Sequence, residues 1–403
     1  MKVAYVSECF LPTRNGVVTS LLTFNRHLTE LGHDVCIFAP GHTNNGNDRV
    51  VDEPKDKPKV HTFPSFPHVA YPDYPIAFPY SRRAVRTFNE FAPDVVHAHS
   101  FFWLTRLGAW LAYRRRTPLV CTFHTLVGEF AHYVPLPRGS ARRLVEVLTG
   151  QFCNWCDLVI VPTESVIPVL RGYGVKSRVE ILPTGIEIDE FTVGNGVDVR
   201  RKFTVPLDAE LLLYVGRIAT EKNIGFLLEA VSRVLASRPR AYLLLVGAGP
   251  QMSQIRTKAF GLQGADRIIF AGSHDKDEMK HFYAAADLFV FASVTETQGL
   301  VLVEAMASEL PCVALDVEGI QNVVGENGVL VPAVEQAFAR AVSDLLDDDS
   351  RRRLLGSSAR QFANQNYSAR SVTNRLVELY DDVRERRRRG ELPPKHPNIP
   401  ILG

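Results

Sequence analysis

The feature that most constrains this chain is an alternation of short apolar segments with amphipathic ones, which occurs twice along its 403 residues. Within each series, apolar runs of strand length are separated by segments whose apolar residues recur at helical spacing. Parallel strands need such crossover helices, so each series predicts a parallel sheet covered on both faces. The sequence therefore predicts an α/β protein of two Rossmann-like, doubly wound domains that face one another across a cleft.

The periodicity also predicts where the elements lie. Strands of the first series are predicted at residues 2–7, 35–38, 95–97, 119–123, 158–161 and 179–182, with helices near 18–31, 102–113, 140–155 and 164–172. Strands of the second series are predicted at 211–215, 242–246, 268–270, 288–291, 312–314 and 329–331, followed by helices near 351–366 and 368–388. Both patterns lapse at residues 184–199, which predicts a linker there. The predicted domains are residues 1–190 and 191–367, with a C-terminal helix at 368–389 and a disordered, proline-rich tail at 390–403.

Composition excludes several classes of protein. Apolar residues make up 46% of the chain and charged residues 22%, and the formal net charge is +2, so nothing global indicates nucleic-acid binding. Apolar runs stay shorter than the roughly 18 residues of a membrane span. The first six residues predict a strand rather than a signal peptide. The C-x2-C of Cys153 and Cys156 has no second ligand pair, so buried helical thiols are expected rather than zinc ligands. These observations predict a cytoplasmic protein.

The stretch from Glu296 to Glu304 carries the strongest chemical signal. It follows an apolar predicted strand and contains Gly299, after which apolar residues recur at helical spacing. A loop that opens a helix presents free backbone amides and the positive end of the helix dipole to an anion. Carboxylates on both sides of such a turn suit a ligand with a phosphate and several hydroxyls, as in a nucleotide sugar. An acidic loop before an ordinary buried helix is the alternative.

The spacing of Glu296 and Glu304 resembles the E-x7-E element of retaining glycosyltransferases of family 4, which have the GT-B architecture. The resemblance implies that Glu296 approaches the donor sugar and that Glu304 holds the ribose hydroxyls. It also implies that the backbone at Gly299, Leu300 and Val301 cradles the diphosphate. In the GT-B fold the last helix crosses back to the N-terminal domain.

The segment from Gly216 to Asn223 is similar to the G-R-x4-K-N segment of the same family. Arg217 and Lys222 would then contact the donor diphosphate and stabilise the charge that develops on the leaving group. The alternative is a pair of solvated cations beside a helix N-terminus, where the dipole disfavours them. The resemblance further implies that Gly247, in G-A-G-P, lies near the nucleotide, and that the backbone near Gly272 and His274 contacts the base.

In the first domain, Gly16 resembles the glycine turn after the family's first strand, and His124 resembles the histidine that points at the donor sugar. The family reaction retains the anomeric configuration by same-face attack, and a donor phosphate oxygen takes the acceptor proton. The resemblance therefore implies neither a dedicated base, nor a metal, nor another cofactor. The run Asp347-Asp348-Asp349 is expected to be a solvated helix end.

Two further segments, 122–135 and the Pro/Tyr-rich loop 64–79, are similar to bacterial diacylglycerol glucosyltransferases. The resemblance implies transfer of glucose from UDP-glucose to a lipid such as diacylglycerol at the inner face of the plasma membrane. Basic residues near these segments would bind anionic headgroups: Arg82, Arg83, Arg86, Arg114, Arg115, Arg116, Arg138, Arg142 and Arg143. Solvated helix faces are the alternative. The run from Arg386 to Arg389, next to the tail, carries little weight in this prediction.

The sequence alone leaves other functions open. Relatives with the same donor residues move mannose from GDP-mannose to phosphatidylinositol, sulfoquinovose to diacylglycerol, or sugars to polysaccharide precursors. A dehydrogenase with two Rossmann halves would need G-x-G-x-x-G after a first strand and an acid about 20 residues on, and neither series has them. A catalytically idle scaffold would be indicated by loss of Glu296, Arg217 or Lys222, and all are present.

Overall fold

The computed structural model describes residues 1–13, 16–41, 50–51, 59–68, 71–78, 81–124, 138–296 and 298–392. The chain divides into two units, one formed by Met1–Gly185 with Ala369–Gly403 and the other by Ile186–Ser368. No described helix combines the length and the apolar character needed to cross a bilayer.

The first unit is built on a mostly parallel sheet. The strands of this sheet are β1 Lys2–Val6, β2 Asp34–Pro40, β3 Val50–Val51, β4 Lys59–Phe63, β7 Val95–Ala98, β8 Leu119–Thr122, β9 Leu158–Val161 and β10 Val179–Ile181, while β5 Ser65–His68 and β6 Tyr71–Ala77 form a separate two-stranded sheet. The first helices of the unit are α1 Gly16–Glu30, α2 Arg82–Phe91, α3 Trp103–Arg115, α4 Arg138–Trp155 and α5 Val166–Gly172. The order of the larger sheet is β10-β9-β8-β7-β1-β2-β4-β3, in which the pairing of β3 with β4 is antiparallel.

The second unit has its own parallel sheet, in the order β13-β12-β11-β14-β15-β16. Its strands are β11 Glu210–Val215, β12 Ala241–Val246, β13 Ile268–Gly272, β14 Leu288–Phe291, β15 Cys312–Leu315 and β16 Val329–Val331. Its helices are α6 Gly196–Lys202, α7 Ile224–Ser237, α8 Met252–Phe260, α9 Lys276–Ala285, α10 Leu300–Ala307, α11 Glu318–Val324, α12 Glu335–Asp347 and α13 Asp349–Tyr367. Short 3-10 turns lie at Ile188–Phe191, Thr220–Lys222 and Ala265–Arg267. The chain then returns to the first unit as helix α14, Ala369–Arg388.

Each sheet is buried on both faces, which explains why its strands are nearly continuous apolar runs. In the first unit, one face packs against α2, α3, α4 and α5, and the other packs against α1 and α14. Helix α14 contributes Leu376 and Tyr380, which are fully buried against that second face. In the second unit a single cluster joins both faces of the sheet to the surrounding helices. Two Rossmann-like α/β units are therefore confirmed.

The strands predicted from apolar runs are confirmed within about two residues at each end, and both C-terminal helices form. The loop predicted at 64–79 is wrong in part, because β5 and β6 pair there as an antiparallel hairpin. Prolines made this segment resemble a loop, but a two-stranded ribbon has free edges on which proline is tolerated. The predicted tail lies mostly outside the described residues, and so does the part of the 122–135 segment after His124.

Candidate functional site

In the second unit, the loops after two neighbouring strands are joined at the carboxyl edge of the sheet. Strand β11 pairs with β14, and the loops that follow both strands meet through the carbonyl of Glu221. This carbonyl accepts a hydrogen bond from the amide of Val294 at 3.1 Å and one from the Ser293 hydroxyl at 3.2 Å. Polar side chains carried by the two loops are thereby brought together.

Lys222 and Glu296 form an ion pair at this junction. The Lys222 ammonium lies 2.5 Å from Oε1 of Glu296, and their side chains are 20% and 9% exposed. Taking both charges out of water costs free energy that offsets their attraction, so a pair this shielded is weak evidence for a purely stabilising role. The carboxyl edge of an open α/β sheet is also where ligands bind. Sequence analysis singled out both residues, and the structure brings their charged groups into contact.

Helix α10 begins directly after this pair. Gly299 precedes its first residue, with φ of 63°, a left-handed conformation that glycine adopts without strain. The first-turn residues Leu300 and Val301 are partly exposed, whereas Leu302 and Val303 are buried against the core. The helix therefore directs its N-terminal amides to the same edge of the sheet as Lys222.

Glu304 lies in the second turn of α10 and is held by a residue that sequence analysis missed. The Tyr283 hydroxyl donates a hydrogen bond to Oε2 of Glu304 at 2.7 Å. Burial raises the pKa of Glu304, while this hydrogen bond and the positive charge of Lys276 lower it. The tyrosine stands 21 positions before the glutamate, and one sequence gives no signal that the two meet.

Three glycines tie together the carboxyl ends of β11, β12 and β13. The amide of Gly216 donates to the Val246 carbonyl at 3.0 Å, and the amide of Gly247 donates to the Gly272 carbonyl at 2.8 Å. A Cβ at Gly247 would lie 1.9 Å from the carbonyl oxygen of Gly216, so no larger residue fits there. Arg217 follows Gly216, and its backbone carbonyl accepts from the buried Tyr214 hydroxyl at 3.0 Å. The Arg217 side chain itself is exposed.

In the first unit, three histidines stack at the carboxyl ends of β7 and β8. The rings of His97 and His99 lie 4.3 Å apart, and those of His99 and His124 lie 5.4 Å apart. Nδ1 of His99 lies 3.1 Å from Nε2 of His124, so one of the two imidazoles donates to the other. His97 contacts the Tyr380 hydroxyl at 2.5 Å and the Thr122 hydroxyl at 2.7 Å, which links α14 to the sheet. Sequence analysis named only His124.

The stack makes the first unit sensitive to acid. Burial lowers the pKa of His97 to about 3 and that of His124 to about 4, against about 6.5 in an unfolded chain. Because the unfolded state binds more protons at these two histidines between pH 6.5 and these values, their contribution to the free energy of unfolding falls as the pH drops below 6.5. For His97 alone we expect a loss of about 2 kcal/mol at pH 5. The measurement is thermal unfolding from pH 7.5 to 5, in which His97→Gln should show a shallower dependence. Parallel curves for the two proteins would contradict this prediction.

Glu8 and Gly16 lie beyond the carboxyl end of β1, next to β7 in the sheet. Oε1 of Glu8 accepts from the amide and hydroxyl of Thr105 at 3.0 and 3.3 Å, so this carboxylate caps the start of α3. Burial raises the pKa of Glu8 to about 7. Gly16 is the first residue of α1, and a Cβ there would meet no described atom within 4 Å. Packing against the described residues of the unit therefore does not demand glycine at this position.

The remaining predicted groups are structural. Cys153 and Cys156 are buried, Cys153 on α4 and Cys156 just after it. The side chain of Asp348 accepts from the amide of Arg351 at 2.9 Å and caps α13, while Asp347 pairs with Arg238 at 2.9 Å. The aspartate run is thus a helix junction.

Comparison with known proteins identifies the chain. Residues 14–190 match the family described as "Glycosyltransferase Family 4", and residues 209–348 match the one described as "Glycosyl transferases group 1". The alpha-monoglucosyldiacylglycerol synthase of Streptococcus pneumoniae is 30% identical over 331 residues, which are 81% of this chain and 74% of that protein. The chain belongs to glycosyltransferase family 4.

The fold of this family 4 glycosyltransferase is similar to that of a solved structure. The crystal structure of HepE from Anabaena in complex with UDP superposes with a TM-score of 0.75 at 20% identity, covering 95% of this chain and all of that one. It establishes the GT-B fold that the E-x7-E resemblance implied. A second relative, the GDP-mannose-dependent alpha-mannosyltransferase of Mycobacterium tuberculosis, is 29% identical and covers 96% of this chain and 98% of its own. The protein is thus a GT-B glycosyltransferase.

Proposed function

We propose that this glycosyltransferase transfers glucose from UDP-glucose to diacylglycerol at a membrane surface, with retention of configuration and without a metal ion. The observation that carries the donor site is the contact of Lys222 with Glu296 beside the start of α10. It places a cation, a carboxylate and helix amides at one edge of the sheet, as a ligand with both diphosphate and sugar requires.

Each residue has a role in this proposal. Lys222, Arg217 and the amides of Leu300 and Val301 bind the diphosphate and stabilise the charge that it gains as its bond to the sugar breaks. Glu296 contacts the donor sugar. Because these cations and amides neutralise the leaving group, the proposal assigns no role to a metal.

Further groups complete the proposed donor site. Glu304 accepts hydrogen bonds from the ribose, and Gly247 and Gly272 line the nucleotide. For the first unit, the proposal assigns contact with the donor sugar to His124, and contact with a donor phosphate to Gly16, where no side chain covers the backbone.

Retention follows when the acceptor attacks from the side of the leaving group. The bond between the anomeric carbon and the phosphate oxygen breaks, and the acceptor oxygen forms the new bond on the same face. The acceptor proton passes to the departing phosphate oxygen, so no protein base is needed. This agrees with the geometry of Glu8, whose carboxylate is engaged in capping α3.

The lipid acceptor is supported by the synthase from Streptococcus pneumoniae, whose name states a glucosylated diacylglycerol as its product, and by the surface of the first unit. Large apolar side chains remain exposed at several places on it, namely Leu11, Phe66, Phe78, Trp103, Leu144 and Val147. Leu144 and Val147 lie one turn apart on α4, beside the exposed Arg142 and Arg143. Exposed apolar residues next to arginines suit an anionic lipid interface.

The test is release of nucleotide from UDP-, GDP- and ADP-sugars, measured with and without diacylglycerol vesicles. Release of UDP from UDP-glucose only when vesicles are present supports the proposal. Release of GDP from GDP-mannose instead favours the second candidate, a mannosyltransferase, which the relative from Mycobacterium tuberculosis supports through its fuller coverage. Equal release of nucleotide with and without vesicles would indicate a soluble acceptor.

Membrane binding gives a separate prediction for α4. Each basic residue near an anionic surface contributes about 1 kcal/mol, so Arg142→Ala with Arg143→Ala should weaken binding to anionic vesicles roughly 30-fold at low salt. The measurement is co-sedimentation at low and high salt. The matched control is Arg340→Ala with Arg353→Ala, two exposed, ion-paired arginines of the second unit. Equal binding by both double variants would contradict a role for α4.

The metal-free mechanism predicts that a chelator leaves turnover unchanged, because Arg217, Lys222 and the amides of α10 supply the positive charge. Initial rates are measured after dialysis against excess EDTA, and again after Mg²⁺ is added back in excess. Loss of activity that Mg²⁺ restores would contradict this part of the proposal.

A further inference from the structure

Tyr283 has a defined relation to the carboxylate of Glu304. Its hydroxyl lies 2.7 Å from Oε2 of Glu304 and 3.4 Å from the backbone carbonyl of Val301. A phenol has one proton to donate, and the shorter contact to the charged group takes it. Among the described residues, Oε1 of Glu304 has no hydrogen-bond partner.

The position of the hydroxyl is fixed by packing. Tyr283 lies on α9 and is 1% exposed. Its ring packs edge-on to Phe191 at 5.8 Å and at a tilt against Phe289 at 5.9 Å. A side chain held in this way cannot follow the carboxylate if it moves, so the hydroxyl fixes one rotamer of Glu304. Holding one carboxylate oxygen leaves the other available to a ligand.

We propose that Tyr283 is a positioning residue for nucleotide binding, which holds Oε2 of Glu304 so that Oε1 is presented to the ribose hydroxyls. The inference rests on the proposed donor site and deepens it. No bond is made or broken in this role. Tyr283 acts through Glu304 and does not itself touch the donor.

The first test removes only the hydroxyl. Tyr283→Phe keeps the ring and its packing, and we expect it to weaken UDP binding about tenfold, because a hydrogen bond to a charged group is lost. The same measurement is made with 2′,3′-dideoxy-UDP, which lacks both ribose hydroxyls. Loss with UDP but not with the dideoxy nucleotide supports the proposal. Equal losses with both would overturn it, because a structural defect does not distinguish the two ligands.

The matched control is Tyr367→Phe in the same unit. The Tyr367 hydroxyl donates to the backbone carbonyl of Asn322 at 3.4 Å, away from Glu304. This variant should bind UDP as the wild type does. Nucleotide binding by the wild type distinguishes failure of the proposed donor site from failure of the proposed role of Tyr283. If the wild type binds none of UDP, GDP and ADP, the proposed donor site fails. If it binds UDP and Tyr283→Phe binds equally well, only the role of Tyr283 is overturned.

A second readout is the pH dependence of UDP affinity. An ionised Glu304 accepts hydroxyl hydrogen bonds better than a protonated one, so affinity falls as the pH drops through its pKa. The Tyr283 hydrogen bond lowers that pKa. The fall should therefore begin at a higher pH in Tyr283→Phe than in the wild type, and superimposable profiles would overturn the proposal.

The wild type and Tyr283→Phe have the same other charged and titratable groups around Glu304. The elements packed against α10 and Tyr283 carry Lys276 on α9, Asp189 and Glu190 in the 3-10 turn, Cys312 on β15, Glu318 on α11 and Arg360 on α13. Of these, Lys276 lowers the pKa of Glu304, and Arg360 pairs with Asp189 at 4.0 Å and Glu309 at 3.3 Å. A shift between the two profiles therefore reports the loss of the Tyr283 hydroxyl.

Discussion

Lys222→Ala is expected to lower turnover about 100- to 1,000-fold, because it removes a charged donor from a leaving group on which charge develops. The loss should fall mainly on kcat, since that charge is larger in the transition state than in the bound substrate. Glu296 loses its partner in the same variant, although only 9% of its side chain is exposed. The loss of this partner also lowers the free energy of unfolding of the second unit, separately from its effect on turnover.

Initial rates with a saturating nucleotide sugar measure this effect. The matched control is Lys258→Ala, whose ammonium pairs with Glu229 at 3.1 Å in the same unit but is more exposed. It should keep nearly full activity. Glu304→Ala is expected to lower turnover by a comparable factor while the fold stays intact. Near-normal rates for Lys222→Ala or Glu304→Ala would contradict the proposed donor site.

Arg387→Ala is expected to destabilise the first unit by about 3 to 5 kcal/mol, the cost of removing one partner from a buried ion pair. The Arg387 guanidinium lies 2.5 Å from Oδ2 of Asp157, and the side chains are 13% and 1% exposed. The same oxygen accepts the amide of Leu119 at 2.9 Å, so Asp157 also orders the start of β8. Without the arginine, the buried Asp157 carboxylate loses the cation that pairs with it.

The measurement is urea unfolding, followed by a probe in the first unit such as Trp110 or Trp155. Arg388→Ala is the control, since that neighbouring arginine is exposed and lies 3.8 Å from Glu385. The double variant Asp157→Ala with Arg387→Ala should recover part of the loss, because it removes the buried carboxylate together with its cation. A midpoint for Arg387→Ala equal to that of Arg388→Ala would contradict the prediction.

The core strands could be predicted from sequence because a sheet covered on both faces needs near-continuous apolar runs. Strand β14, Leu288–Phe291, and strand β9, Leu158–Val161, are such runs. The hairpin of β5 and β6 could not be predicted in this way, because its stability comes from pairing between the two strands rather than from the strand preference of its residues. The run from Arg386 to Arg389 shows a related limit. Four identical residues look alike in sequence, and only the fold selects Arg387 for contact with a buried aspartate.

The candidate site was predictable where spacing along the chain carries the signal. Glu296 and Lys222 were chosen from separate motifs, and they meet although 74 positions separate them. Tyr283 and His99 were missed because their roles arise from contacts between elements. His99 reaches His124 because β7 and β8 are adjacent and in register. One sequence contains no pattern that shows which tyrosine or histidine the fold selects.

The return of α14 to the first unit has a consequence for synthesis on the ribosome. Residues 186–368 are contiguous, so the second unit can fold as soon as they have left the exit tunnel. The first unit lacks Leu376, Leu379 and Tyr380 from one face of its sheet until α14 has been synthesised. Its core is therefore completed only after the second unit has been made. Until then its uncovered apolar face is a surface for chaperones, and a stop codon before residue 369 would leave it uncovered permanently.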